Sequence, residues 1–158
     1  MNNFPVKGDD FTMDTYLKVS RIKNELIDCN DTDLNLVFEN GVHRLHFTSQ
    51  GCHSKSECSF GENIFYGKYD DLSAFAKDLT KWSKISLRVK NKHAVVLFNN
   101  KVIYNSHYKN PVGMLKGIDF TSSLFFDMDY ICFYDSNNKL TYNEDFTTSI
   151  DLVQGAGK

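Results

Sequence analysis

The stretch from Trp82 to Tyr108, WSKISLRVKNKHAVVLFNNKVIYNSHY, constrains the fold more than any other part of the chain, because two asparagine-bearing breaks cut it into three short apolar segments. Ile85, Leu87 and Val89 alternate with Ser86, Arg88 and Lys90, the period of a strand with one face on a core. Asn91-Lys92 ends that run, a second apolar segment follows from His93 to Phe98, and Asn99-Asn100-Lys101 interrupts the chain before Val102 to Tyr104. Asparagine tolerates the positive φ that tight hairpins demand, so both breaks read as turns and the three segments as consecutive antiparallel strands.

The same alternation recurs elsewhere. Phe11, Met13, Leu17 and Val19 share one parity and Thr12, Asp14, Tyr16 and Lys18 the other. Leu34, Leu36 and Phe38 repeat the pattern, Asn40-Gly41 reads as a hairpin turn, and Leu45 with Phe47 continues on the return strand. A polar, cysteine-bearing loop from Gly51 to Ser59 precedes a short strand around Ile64 to Tyr66. The period then changes: Leu72, Phe75, Leu79 and Trp82 fall at helical spacing behind Asp70-Asp71, which suits an N-cap and the helix dipole. One short helix or helical turn is expected there, with Trp82 buried where it meets the sheets. Ile118-Asp119-Phe120 and Asp129 to Asp135 supply further strands, the last with Ile131 and Phe133 on one face and Tyr130, Cys132 and Tyr134 on the other. Asn137-Asn138-Lys139 reads as another turn. From Thr147 small and polar residues dominate, so residues 1–146 are expected to form one domain and residues 147–158 a flexible tail. Many short strands with one short helix define an all-β, two-layer antiparallel sandwich.

Charge removes some classes of partner. With 18 Lys+Arg against 20 Asp+Glu the net charge is −2, which supplies neither the basic field that nucleic acid requires nor a polybasic segment for a membrane surface. The apolar runs fall short of the ~20 residues of a membrane span, and no membrane insertion by this segment is expected.

Residue patterns across nearly the whole chain resemble one superfamily. The Trp82 to Ile103 stretch is similar to the W…I-x-L-x-V-x-N…V-x-L-x-N-G-K-x-I pattern of laminin-G-like and concanavalin A-like jelly-roll domains, with Asn99-Asn100-Lys101 where Asn-Gly-Lys is frequent. Gly8-Asp-Asp-Phe-Thr-Met resembles the opening strand, Asp71-Leu-Ser with Trp82 the helical turn, and Asp129-Tyr-Ile-Cys-Phe-Tyr-Asp the closing strand. Cys29-Asn-Asp and Gly51-Cys-His-Ser resemble features of extracytoplasmic domains in membrane-anchored bacterial proteins. The resemblance implies a concanavalin A-like jelly roll, an extracytoplasmic location at the cell surface or in the periplasm, and membership of a larger membrane-anchored or secreted protein. It also favours a Cys29–Cys52 disulfide, which the position of these residues on either side of the first hairpin permits. Cys58 competes for Cys52, and four cysteines allow three full pairings. Cys132, within an apolar strand, is expected to be a small buried hydrophobe. A bridge would mean an oxidising compartment.

Chemistry-bearing motifs are sparse. The cysteine spacing contains no Cys-x-x-Cys pair, and His53 beside Cys52 does not complete a zinc site. The resemblance includes glycosidases, but these place alternating acids on one strand; the nearest acids here, Asp127-Met-Asp129 and Glu144-Asp145, lack that setting. There is no Gly-x-Ser-x-Gly, and Gly41, Gly51, Gly61 and Gly67 lack phosphate-loop spacing. No enzyme activity and no cofactor are expected; calcium is the one cation for which Asp70-Asp71 and Asp127/Asp129 offer oxygens. Asn30-Asp-Thr32 matches a glycosylation sequon.

Binding remains. Sugars are held by aromatic faces with planar polar groups beside them, and the candidates are Tyr104 and Tyr108 after the third strand of the central unit, Tyr130 and Tyr134 opposite Ile131 and Phe133, and Arg44, His46 and Arg88 at polar parity. The expected function is a non-catalytic recognition module with glycan as its ligand. The alternatives are a structural or protein-docking domain and, third, a glycoside hydrolase.

Overall fold

The computed structural model describes residues 4–20 and 29–146, and these form eleven strands in two antiparallel sheets packed on one another. In chain order the strands are β1 (Asp10–Ser20), β2 (Asp31–Phe38), β3 (Gly41–Thr48), β4 (Glu57–Phe60), β5 (Asn63–Tyr66), β6 (Ser83–Lys90), β7 (His93–Phe98), β8 (Lys101–His107), β9 (Leu115–Ser122), β10 (Phe125–Tyr134) and β11 (Leu140–Glu144). One sheet runs β11-β10-β1-β6-β7-β8 and the other β5-β4-β3-β2-β9. This is an all-β sandwich, compatible with a jelly roll. The expected tail, residues 147–158, lies outside the described residues.

Alternation decides which side chains enter the space between the sheets. Phe11, Met13, Thr15 and Leu17 on β1 lie opposite Val89, Leu87, Ile85 and Ser83 on β6, and all are buried. Leu34, Leu36 and Phe38 on β2 face them from the other sheet with Leu45 and Phe47 on β3. Phe60, Phe75 and Phe133 are fully buried in the same core. Burying a large apolar side chain contributes roughly 1.5–3 kcal/mol each, which is why strand register is tightly specified here: a shift by one residue would turn every core side chain to solvent.

The two central hairpins form as their residues dictate. Asn91 and Lys92 have φ of 47° and 60°, Asn99 and Asn100 of 49° and 67°, the left-handed pair that a two-residue turn between twisted strands requires. The first hairpin differs in detail from the expectation. Phe38 pairs with Gly41, so Glu39-Asn40 is the turn, one residue earlier than Asn40-Gly41. Segment 112–114 crosses beneath it, with Asn40 N–H donating to Val112 O at 2.9 Å and Met114 N–H to Glu39 Oε1 at 3.0 Å. Gly41 is needed for that close approach, since a Cβ there would lie 2.9 Å from Val112 Cγ1.

The expected short helix or helical turn is one 3-10 turn, Ser73–Phe75. Asp71 Oδ1 accepts from Ser73 N–H at 3.0 Å, a side-chain turn ahead of the element, while Leu72 holds the N-cap position and makes no side-chain cap bond. Beyond Phe75 the chain is bound in extended form to both sheets: Lys77 N–H donates to Thr48 O at 3.1 Å and Val19 N–H to Leu79 O at 2.8 Å. Asp78 then closes a side-chain turn on Thr80 N–H at 2.9 Å. Leu72, Phe75 and Leu79 are buried as helical spacing implied, but the turn ends at Phe75, and Trp82 is carried past the core and is 40% exposed. Strand β4 lies where a polar loop was expected, and a second 3-10 turn, His53–Lys55, leads into it.

Cys29 and Cys52 are disulfide-bonded, with Cα atoms 5.8 Å apart. Cys58 is a fully buried free thiol, and burial pushes its pKa up to about 12. Cys132 is not a core residue: it faces outward on β10, half-buried, its Sγ 3.0 Å from Asn143 Oδ1. No helix among the described residues is long and apolar enough to cross a membrane.

Candidate functional site

The outward face of the six-stranded sheet is built in cross-strand rows. One row places Tyr130 of β10, Tyr16 of β1 and Lys84 of β6 side by side, and the next toward Arg88 places Cys132, Asp14 and Ser86. A further row sets Tyr134, Thr12 and Arg88 in line, followed by Val95 on β7. Trp82, one residue ahead of β6, lies at the other end of this series. The parity that sends Phe11, Met13 and Leu17 inward sends Thr12, Asp14 and Tyr16 outward, so these rows follow directly from alternation.

Three aromatic rings stack across the strands. The Trp82 and Tyr16 centroids are 5.2 Å apart with planes at 19°, and Tyr16 and Tyr130 are 6.2 Å apart at 20°. Lys18 Nζ stands 5.4 Å from the Trp82 ring centroid, a cation–π contact. Beside the rings, Asp14 accepts from Ser86 Oγ at 2.6 Å and lies 3.8 Å from Lys84 Nζ. Partial burial and then the Asp14 charge raise the phenol pKa of Tyr130; burial and then Cys132 raise that of Tyr134. Both phenols are therefore held protonated, as hydrogen-bond donors.

The seven sequence-derived candidates separate into three places. Arg88, Tyr130 and Tyr134 share the face just described. Arg44 and His46 lie on the outward side of the other sheet, where Arg44 Nε meets Asp33 at 3.1 Å and its Nη1 meets Glu57 at 3.4 Å. His46 Nε2 is 3.2 Å from Asp31 Oδ1 and Nδ1 is 2.8 Å from Asp33 Oδ1, the latter a charge contact away from the line of a hydrogen bond. Burial alone would depress the His46 pKa, but pairing with Asp33 and Asp31 outweighs it and the pKa is raised. Burial likewise opposes the shift of Asp33, whose pKa is lowered by His46 and Arg44. This cluster uses its charges on itself.

Tyr108 is inside, and Tyr104 is partly buried against the core. A bulge between Val96 and Leu97 lets β8 keep Tyr104 opposite the buried Val96, and the ring packs 5.3 Å from Phe75 and 5.8 Å from Phe65. Tyr108 is 4% exposed and donates its hydroxyl to Asp9 Oδ1 at 2.5 Å; burial and then Asp9 raise its pKa. The expected surface of Tyr104, Tyr108 and Arg88 does not form, because the first two rings face the core. Residues the sequence reading passed over, Tyr16, Asp14 and Lys84, stand on the face instead, and their signal was their parity. Trp82 joins them because the helical turn ends at Phe75 and does not reach it.

The acids proposed for calcium serve turns or the sheet. Asp70 accepts from Tyr66 N–H and Asp71 from Ser73 N–H, both at 3.0 Å. Asp127 stands opposite Lys18, while Asp129 is the extra residue of the β10 bulge. Among the described residues no three His, Cys, Asp or Glu side chains converge as metal ligands do. A cleft of about 520 Å³ opens beside Asn30, Thr48 and Asp78; the one ring in its described wall, Phe47, is 1% exposed and presents no stacking face. No known family model matches the chain, and no curated protein matches it.

Proposed function

We propose that this domain is a sandwich of the concanavalin A-like type and a non-catalytic recognition module, binding glycans on the outward face of its six-stranded sheet. The observation that carries the reading is the outward Trp82–Tyr16–Tyr130 stack, in which Trp82 is exposed and the two tyrosines are half-buried, with Asp14 and Lys84 beside it. Aromatic side chains offer a rigid apolar surface to the C–H face of a pyranose, and neighbouring polar groups exchange hydrogen bonds with its hydroxyls. The Cys29–Cys52 bridge supports an extracytoplasmic, oxidising location.

The test uses the chain's single tryptophan, which lies in the stack. Titration with oligosaccharides should give a saturable change in Trp82 emission and heats of binding, with no sugar released. Tyr16→Ala should weaken binding roughly tenfold, about 1.4 kcal/mol, without loss of fold. Silence across a broad glycan array would overturn the reading, and cleavage abolished by Asp129→Asn would make the protein an enzyme. A second reading, protein docking, is favoured by edge strand β5 and the loop after it, where Ile64, Tyr66 and Tyr69 are 50%, 43% and 78% exposed.

A further inference from the structure

Arg88 lies on the outward face between Lys84 and Lys90 of the same strand, and Lys90 stands opposite Asp10 of β1. Lys84 is neutralised by Asp14 at 3.8 Å, and Lys18 lies over the Trp82 ring and opposite Asp127. Arg88 is exposed between Thr12 and Val95, neither of them charged, and among the described residues it has no ion pair, hydrogen bond or ring contact. From Lys84 to Arg88 is four residues along β6, about 13 Å at the rise of a strand. Tyr134, two strands away in the same row, adds a protonated phenol. The aromatic stack and the guanidinium therefore lie at two ends of one continuous face, spaced for an oligosaccharide and too far apart for a single sugar.

Resting on the glycan reading, we infer that the ligand is an acidic oligosaccharide, seated with one sugar on the Trp82–Tyr16–Tyr130 stack and a uronate carboxylate of a further sugar on Arg88. A guanidinium presents parallel N–H donors that match the two oxygens of a planar carboxylate, a fit that an ammonium cannot reproduce. An exposed arginine without a partner in the fold contributes nothing to stability by pairing, so its charge is available to a ligand.

Calorimetric titration with a galacturonate oligomer, its methyl ester, the matching neutral galactose oligomer and a sulfated galactose oligomer tests this. The galacturonate should bind about tenfold tighter than the ester or the neutral oligomer, about 1.4 kcal/mol, and the advantage should shrink as salt rises. Arg88→Gln should erase the advantage while leaving neutral binding and the melting temperature unchanged; Arg88→Lys, which keeps the charge and loses the fork, should restore only a minor part. Equal binding of acid, ester and neutral oligomer would overturn the inference and leave the glycan reading standing. A sulfated oligomer preferred over galacturonate, with Arg88→Lys fully active, would overturn the carboxylate assignment. Failure of all four to bind would overturn both.

Discussion

His43 should make the folded state acid-sensitive within a window set by its burial. The ring is fully enclosed between the sheets, 4.8 Å from Phe38 and 5.2 Å from Tyr108 by centroids. Its Nδ1 accepts from Gly61 N–H at 3.1 Å, so the proton sits on Nε2, which donates to Gly8 O at 3.2 Å. Burial drives the pKa down from 6.5 to about 4, against the pull of Gly8 O and Asp9. Between these values the unfolded chain binds a proton that the folded chain refuses. Stability from this group is therefore complete above pH 6.5 and is lost as pH falls toward 4, by roughly 3 kcal/mol. That is a large share of the 5–15 kcal/mol typical of a domain. Urea unfolding followed by circular dichroism at steps from pH 7 to pH 4 should show the midpoint falling throughout, and His43→Gln should abolish most of that slope even if it lowers the midpoint overall. An NMR titration placing the folded His43 near its ordinary pKa, or a flat midpoint, would refute the argument.

His46 should act with the opposite sign, since its raised pKa gives stability that is complete below pH 6.5 and lost as pH rises through the folded value; His46→Gln should remove this alkaline decline in the same unfolding series. Trp82 should emit like an exposed indole and be quenched by acrylamide, and Trp82→Ala should cost about 1 kcal/mol where a buried tryptophan would cost about 3–5; a blue-shifted, quencher-resistant emission would contradict its placement. Peptide mapping without reductant should recover Cys29 joined to Cys52, and Cys29→Ser with Cys52→Ser should lower stability by about 3 kcal/mol for a sequence separation of 23, on the chain-entropy account; two free thiols in protein matured under oxidising conditions would contradict the bridge.

The strands were legible wherever one face is buried and the other wet. Over β1 every second residue from Phe11 to Val19 is buried, and the period is visible in the residues themselves. The hairpins at Asn91-Lys92 and Asn99-Asn100 were legible because local backbone conformation selects asparagine there. Strand β4 was not, because Glu57, Cys58, Ser59 and Phe60 carry no alternation: three of the four are buried, and Ser59 has its hydroxyl bound to Val42 O at 3.1 Å. The shortness of the helical element has a different cause. Leu72, Phe75 and Leu79 fit helical spacing and do reach the core, but Thr48 and Val19 offer the backbone hydrogen bonds of an extended chain, and tertiary pairing prevails over a short segment's weak helical preference.

The candidate face was half legible for a related reason. Parity alone places Tyr130, Tyr134 and Arg88 outward, and by the same rule it selects Tyr16, Asp14 and Lys84, but parity says which face of a sheet a residue takes and not which sheet neighbours it. The order β10-β1-β6, in which strands from the last and middle parts of the chain flank the first, is a long-range fact: Tyr16 and Tyr130 are 114 residues apart and directly opposed. Alternation also fails where a strand is irregular. The bulge in β8 keeps Tyr104 inward, and Tyr108 lies past the end of that strand, where the hydroxyl is captured by Asp9 and the ring fills the space that Gly61 leaves open, a Cβ there falling 2.6 Å from the ring. A tyrosine next to a predicted strand end can thus belong wholly to the core, and the rings gathered on the outward face are those that neighbouring strands bring together.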